Sequence, residues 1–247
     1  SCRGEAATGV LGAARDWRTA SSGELVTLQY GQILHYLPDF AMGALVALWI
    51  AAVAFAGGLL IGLAGAAGLS FGPWPARALV GAYVRFFTWT PQLVQIFFLF
   101  FALPEVGITL SPVTAVLIGM TLNAGAYLTE IERGGFASVP RAELDAAESM
   151  GFSRPQIVWH VIAPHVVRAL YPALSNHYII MTLGTSMAAI FGVEELTGRA
   201  LNANAVSFRS VEIFSVVALI YIVLTIIAST LLWVVGRALF RIRAKVF

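Results

Sequence analysis

Five stretches of this chain run free of Asp, Glu, Lys and Arg: residues 40–76, 86–104, 106–129, 169–193 and 213–236, which are 37, 19, 24, 25 and 24 residues long. A helix needs about 20 apolar residues to cross roughly 30 Å of hydrocarbon, so each stretch has room for one span. The first is long enough to raise the question of two. Small residues crowd Gly57–Gly68, however, and Gly72, Pro73, Trp74 and Pro75 form a turn, so a single tilted or over-long helix is expected there. The expected spans are 40–68, 79–103, 112–130, 171–193 and 212–236, with Pro91 interrupting the second. The chain therefore reads as all-α, a polytopic membrane protein of five transmembrane helices.

Residues 131–168, between the third and fourth spans, are too polar for hydrocarbon and too long for a turn. Ser138 and Pro140 precede a run of good helix formers, Arg141–Met150, and Gly151 suits the left-handed position that ends a helix. Ser153 opens a second helix, because Ser-x-x-Gln to Gln156 fits a capping box with Pro155 in the first turn. Ala163-Pro164 is expected to stop it. The product is a helix, a glycine turn and a second helix, in water.

Composition agrees with lipid as the main solvent. Hydrophobic residues make up 59% and charged residues 11%, whereas a soluble globule carries about 25% charge. Cys2 is the one cysteine, so there is no intrachain disulfide and no Cys-rich metal cluster. Lys245 is the one lysine and follows no glycine-rich loop, which removes a phosphate-binding P-loop from the chain. A net charge of +2 is too small for nucleic-acid binding by bulk charge.

The placement of charge sets an orientation. Arg77, Arg85, Arg133, Arg141, Arg154, Arg168, Arg237, Arg241, Arg243 and Lys245 flank the spans on one side, against Arg199 and Arg209 on the other. Positive residues stay on the cytoplasmic side. The N-terminal segment 1–39 is thus expected outside, the C-terminus inside, and the 131–168 loop in the cytoplasm. With Arg3, Glu5, Arg15, Asp16, Arg18, Glu24 and Asp39 among them, the first 39 residues do not resemble a signal peptide.

Asp145-Ala146-Ala147, three residues, Gly151, nine residues, then Val161-Ile162-Ala163-Pro164 resembles the EAA loop of the membrane subunits of ABC importers, Glu-Ala-Ala, three, Gly, nine, Ile-x-Leu-Pro. The spacing is the same throughout, with Asp145 for Glu, Val161 for Ile and Ala163 for Leu. The runs Thr90-Pro91-Gln92-Leu93-Val94-Gln95, Ala126 to Gly135 (AYLTEIERGG), Gly184-Thr185-Ser186 and Gly192 to Leu196 (GVEEL) are similar to the polar amino acid permease branch. The resemblance covers roughly Gly43 to Arg243. It implies a type I ABC importer permease fold in a bacterial inner (plasma) membrane. It also implies a function, ATP-driven import of a polar amino acid, with glutamate- or aspartate-like solutes among the candidates.

The same resemblance implies partners: a cytoplasmic ATPase dimer, a second permease subunit (identical or homologous), a periplasmic solute-binding protein and the bilayer. This chain would hold no cofactor, ATP and Mg being bound by the ATPase, and it would not itself be an enzyme. Asp145, Ala146, Ala147, Gly151, Val161 and Pro164 are the expected core of the coupling surface. Arg141, Glu143, Glu148 and Arg154 are candidate salt-bridge partners of the ATPase or, alternatively, a solvated helix face. Arg141 and Glu143 stand where the family commonly has a Gly-Gln pair.

Polar residues inside the spans need partners or water. Thr88, Thr90, Gln92 and Gln95 surround Pro91, Asn123 is in the third span, and Asn176, His177, Thr182, Thr185 and Ser186 are in the fourth. Gln92 and Gln95 share a helix face by spacing, as do Thr182, Thr185 and Ser186. Two such faces would line a solute path; each residue alone would serve as well in an interhelical hydrogen bond. Where the family often shows Arg-Gly before Thr-Pro, this chain has Thr88-Trp89, and Leu183-Gly184 replaces Lys or Lys-Asp before Thr-Ser.

His160 and His165 are five apart across Pro164, which does not make a metal pair, and no metal site is expected. Gly58-x-x-x-Gly62 permits close helix approach, and Trp49, Trp74, Trp89, Trp159 and Trp233 read as lipid-facing or interfacial residues. Two other readings stand beside the importer of polar amino acids. One is a related importer for methionine or an osmoprotectant, against which the AYLTEIERGG run argues. The other is an intramembrane enzyme, which would need a catalytic acid or a paired nucleophile inside a charge-free stretch.

Overall fold

The computed structural model describes residues 28–240. Most of the expected outer segment 1–39, and the tail with Arg241, Arg243 and Lys245, lie outside the described residues. Two short 3₁₀ turns, Tyr30–Gln32 and Leu34–Tyr36, lead into α1, Leu37–Phe71. Pro38 sits in the first turn of α1, where its missing N–H is no loss, and Asp39 lies beside the positive end of the helix dipole. Gly72-Pro73 ends the helix, the Gly72 N–H closing on Gly68 O at 3.0 Å.

α1 is apolar all round, yet it buries one stripe. Ala47, Ala51, Ala54, Gly58, Gly62 and Gly65 recur every three or four residues and face the bundle, while Leu45, Leu60 and Leu63 are exposed on the other side. In lipid no hydrophobic force brings helices together, so small residues that let backbones approach decide which face packs. The partner is α4, Pro112–Ala137. A Cβ at Gly58 would lie 2.8 Å from Ala124 Cβ, and one at Gly62 would lie 2.8 Å from Leu128 Cβ. The Gly58-x-x-x-Gly62 pair therefore works inside the bundle. Ser111 caps α4, its Oγ accepting the Thr114 N–H at 3.2 Å, and the helix runs past the expected limit of residue 130 to Ala137.

The second span, expected over 79–103 with an interruption at Pro91, is a bent pair broken there. α2, Trp74–Trp89, is followed by α3, Gln92–Phe97, which continues through a π turn, Phe98–Ala102, and a 3₁₀ turn, Leu103–Val106. The two halves meet at 104°. Pro91 has no N–H to continue the ladder, and it holds Thr90 extended at φ −110°, ψ 140°. Among the described residues four helices are long and apolar enough to cross a membrane, and the bent pair makes a fifth when taken as one span.

Pro164 also behaves differently from the expected stop. α5, Arg141–Ser149, is followed by α6, Arg154–Ile157, a π turn over Val158–Ile162, and α7, Ala163–Gly184, ending in a 3₁₀ turn, Thr185–Phe191. Helix thus runs without a break from Arg154 to Phe191. The π turn absorbs the proline, since widening the coil there relieves the clash of its ring with the preceding turn.

One element was not foreseen. α8, Leu196–Ser207, is a short helix between the last two spans, and α9, Ser210–Phe240, completes the chain. Two packed clusters hold the bundle. One joins Ile50 and Ala54 of α1 to Ile96, Met120, Leu128, Met181 and Phe191; the other joins Ile33 and Phe40 to Leu196, Ala200, Ile213 and Val217.

Candidate functional site

The helix-turn-helix forms as the residues suggest. At the end of α5 the Phe152 N–H bonds to Ala147 O at 3.1 Å and the Gly151 N–H to Glu148 O at 2.9 Å. This is a Schellman closure, and Gly151 supplies its positive φ of 78°. At the start of α6 the Ser153 N–H and hydroxyl both donate to Gln156 Oε1, at 2.8 and 2.9 Å. Ser138 differs from expectation. Its hydroxyl donates to Gly135 O at 2.7 Å, closing α4 instead of capping α5.

Asp145, Ala146, Glu148, Arg141 and Arg154 are exposed on this hairpin, as is Gly151. Ala147 is turned inward and almost fully buried, so only one of the two alanines presents its side chain outward. Val161 and Pro164, with Ala146 and Met150, line a groove of about 580 Å³ between α5 and the start of α7. Glu143 lies across it, its Oε2 3.6 Å from His165 Nδ1. This carboxylate therefore has a partner within the chain, in an exposed pair of the kind worth little by itself. Met150 and Phe152 are exposed beside the turn and Trp159 is exposed on the next helix, adding apolar surface that a search for charged partners overlooks.

The polar residues of the spans divide into two groups. Thr88, Thr90, Gln92 and Asn123 line a second cavity of about 580 Å³. It is walled by the break between α2 and α3, by α4 at Asn123 and Tyr127, and by α7 at His177, Ile180 and Met181. Trp89, expected to be lipid-facing or interfacial, lines it as well. The Tyr127 and His177 rings lie 5.8 Å apart; His177 was named among the polar residues of the fourth span, whereas Tyr127 was not. The signal for Tyr127 was spacing, four residues from Asn123 on the same helix face.

Gln95 is not in that cavity but buried behind it. Its Nε2 donates to Thr90 Oγ1 at 2.7 Å, to Phe87 O at 3.0 Å and to Thr90 O at 3.1 Å. Asn123 Nδ2 donates to Gln95 Oε1 at 3.1 Å and to Phe87 O at 3.2 Å. The carbonyls that Pro91 strips of helical partners are thus met by two side-chain amides, as hydrocarbon depth requires. Gln92 and Gln95 both lie in α3 beyond the bend, yet Gln92 lines the cavity while Gln95 turns back to Phe87, Thr90 and Asn123, so the two do not act as one face of a path.

The expected face of the fourth span does not line this cavity. Thr182 and Thr185 are buried and bond back to Tyr178 O and Thr182 O, at 2.9 and 2.7 Å. Ser186 bonds to Leu183 O at 2.9 Å, and Asn176 is exposed outside the cavity lining. The three hydroxyls are satisfied by carbonyls of their own helical segment and make no interhelical bond.

Outside the spans, Glu195 is fully buried at the start of α8. Its Oε1 accepts the Gly198 N–H at 2.9 Å and its Oε2 accepts the Tyr221 hydroxyl at 3.0 Å. Burial pushes its carboxyl above the usual range, against the lowering effect of those hydrogen bonds. At the same end Arg199 bridges Asp39 of α1 and the Glu194 carbonyl, the latter at 3.1 Å.

Residues 57–241 match the family described as binding-protein-dependent transport system inner membrane component. The chain is 35% identical over 198 residues to the glutamine transport system permease protein GlnP of Escherichia coli (strain K12), covering 79% of this chain and 90% of that protein. It is 36% identical over 172 residues to the probable amino-acid ABC transporter permease protein YckA of Bacillus subtilis (strain 168), covering 70% and 74%. Among solved structures it superimposes on an amino acid ABC transporter crystallised with histidines, with a TM-score of 0.81 and 28% identity over 87% of this chain and 100% of that one. The inward-facing methionine ABC transporter MetNI shares the fold, at a TM-score of 0.62 and 20% identity over 82% and 94%.

Proposed function

This chain belongs to the family of binding-protein-dependent transport inner membrane components, and from that membership we propose how its two sites work in importing a polar amino acid. It is a multi-pass inner-membrane permease subunit of an ATP-driven importer and not an enzyme; ATPase and solute-binding partners go with the family. The names of its relatives, glutamine and amino-acid permeases, support an amino acid as the solute.

The observation that carries the coupling role is the Schellman-closed hairpin, which holds Asp145, Ala146, Gly151 and Met150 outward on a rigid element. An ATPase dimer docks there, and closure on ATP swings α5 together with the long helix that begins at Arg154. Arg141, Glu148 and Arg154 supply charge at the rim of that contact, while Val161 and Pro164 shape the groove behind it. The hairpin lies in the cytoplasm, the N-terminus outside and the C-terminus inside, in keeping with the ten-to-two excess of near-membrane positive residues. A second permease subunit completes the membrane unit, and the cavity beside Pro91, with Thr88, Thr90, Gln92 and Asn123, is this subunit's share of the solute path.

The test is reconstitution. The chain, co-expressed with the ATPase and binding protein of its own operon, is placed in proteoliposomes and assayed for ATP-driven amino acid uptake. Uptake that needs all three components supports the reading. A chain that purifies alone and leaves ATP hydrolysis unchanged overturns it.

A further inference from the structure

Resting on the coupling role of the hairpin, we propose that Glu132 is a proton-binding site in the α1–α4 seam, filled while the seam is closed and emptied to the cytoplasm when ATPase closure parts it. Glu132 belongs to the AYLTEIERGG run at the cytoplasmic end of α4, yet only 5% of its surface is exposed. Its Oε2 is shut from solvent without a hydrogen-bond partner. What that oxygen meets is α1. A Cβ added at Gly62 would lie 3.1 Å from it, so the carboxyl occupies the notch that the missing side chain leaves.

Among the described residues no cation pairs with Glu132. The helix it faces, α1, carries no charge beyond Asp39 in its first turn. On α4 itself, Arg133 turns to Glu130 at 2.6 Å on the exposed side. On α2, Arg77 donates to Gly72 O and Arg85 to Gly81 O. On α7, His177 lies beside Tyr127 and Arg168 lines the hairpin groove. Burying an ionised carboxylate with neither a cation nor a full set of donors costs far more than taking up a proton. The side chain therefore sits in the closed seam as the neutral acid.

The coupling motion reaches this end of α4 first. The helix ends soon after Glu132, at Ala137, and the chain turns into the coupling helix α5 at Arg141. Parting α4 from Gly62 admits water to the carboxyl. The O–H bond then breaks, its electron pair stays on the carboxylate, and water takes the proton into the cytoplasm. Reclosure recovers a proton from the same side, so no net proton crosses the membrane. What the proton does is favour the closed seam over the open one.

The assembled permease–ATPase complex in nanodiscs gives two readouts. Infrared spectra at neutral pH should show the carbonyl band of a protonated carboxyl in the wild type that is lost in Glu132→Gln, with elution as an intact complex as the folding control. Binding of a non-hydrolysable ATP analogue, followed with a pH indicator in weak buffer, should release about one proton more per permease subunit from the wild type than from the variant. A spectrum unchanged by the substitution, or equal proton release, overturns the proposal, which falls alone when the same complex still drives amino acid uptake. A chain that no ATPase engages removes the coupling reading, and the proposal with it.

Discussion

Asn123 and Gln95, 28 residues apart in the chain, are joined by a buried hydrogen bond of 3.1 Å, and both amides donate to the carbonyl of Phe87. The kink at Pro91 is therefore held from the side by α4 and is not a loose hinge. Removing either amide leaves a carbonyl at hydrocarbon depth with fewer donors, at a cost of about 1–3 kcal/mol. Gln95→Ala and Asn123→Ala should each lower the melting temperature of the detergent-solubilised protein. The double variant should lose less than the sum, because the pair acts as one unit. Additive losses would mean that the two amides act independently.

The α1–α4 seam should tolerate no side chain. A Cβ at Gly62 would meet Leu128 Cβ at 2.8 Å and Leu128 C at 3.0 Å, and the second of these is backbone that cannot step aside. Gly62→Val should cost about 1–3 kcal/mol or more by overpacking, seen as loss of a monodisperse peak on size exclusion. Gly134→Ala, where a Cβ meets nothing within 4 Å, is the matched control and should behave as wild type.

Gly151 separates backbone from charge at the hairpin tip. Its φ of 78° strains any β-branched side chain, although a Cβ would have open space around it. Gly151→Asp should abolish ATP-driven uptake while the chain still inserts and survives membrane fractionation. Gly151→Asn accepts the same φ without the charge and should retain part of the activity. Normal uptake by the aspartate variant would remove the turn from the coupling surface.

Glu195 makes a pH prediction whose sign follows from its burial. A carboxyl held above its usual range is favoured in the folded chain as the neutral acid. Its stabilising contribution is complete below the ordinary glutamate range and declines as pH rises through the raised value. Melting temperature should fall over that interval in the wild type and fall less steeply in Glu195→Gln. Glu195→Ala, which strands the Gly198 N–H and leaves the Tyr221 hydroxyl to Thr197 alone, should lose about 1–3 kcal/mol below the ordinary glutamate range, a deficit that narrows as pH rises. Equal pH slopes for wild type and the glutamine variant would assign the titration to another group.

The parts legible in advance were those governed by solvent or by local backbone chemistry. Charge-free stretches marked α1, α4, α7 and α9, because a charge in hydrocarbon is costly. The Gly151 turn and the Ser153–Gln156 box were readable because each is closed by residues within six positions of one another. The orientation of side chains inside the bundle was not readable. A span is apolar toward lipid and apolar toward its neighbours, so hydrophobic periodicity, which reveals the inner face of a soluble helix, is nearly flat. Only the small-residue stripe of α1 carried that information.

Composition and the spacing of charges and breakers thus determined on their own that the chain lives in lipid, roughly where it crosses, and that a helix-turn-helix projects between the third and fourth spans. Tertiary structure decided the rest. It decided that Pro91 bends its span by 104° while Pro164 is absorbed in a π turn, because the amides that meet the carbonyls freed by Pro91 include Asn123 from a helix distant in sequence. It also decided that Gln92 reaches the cavity while Gln95 braces the break behind it. The two glutamines are the same residue type three positions apart, and what separates their roles is the packing of α4, which no local pattern encodes.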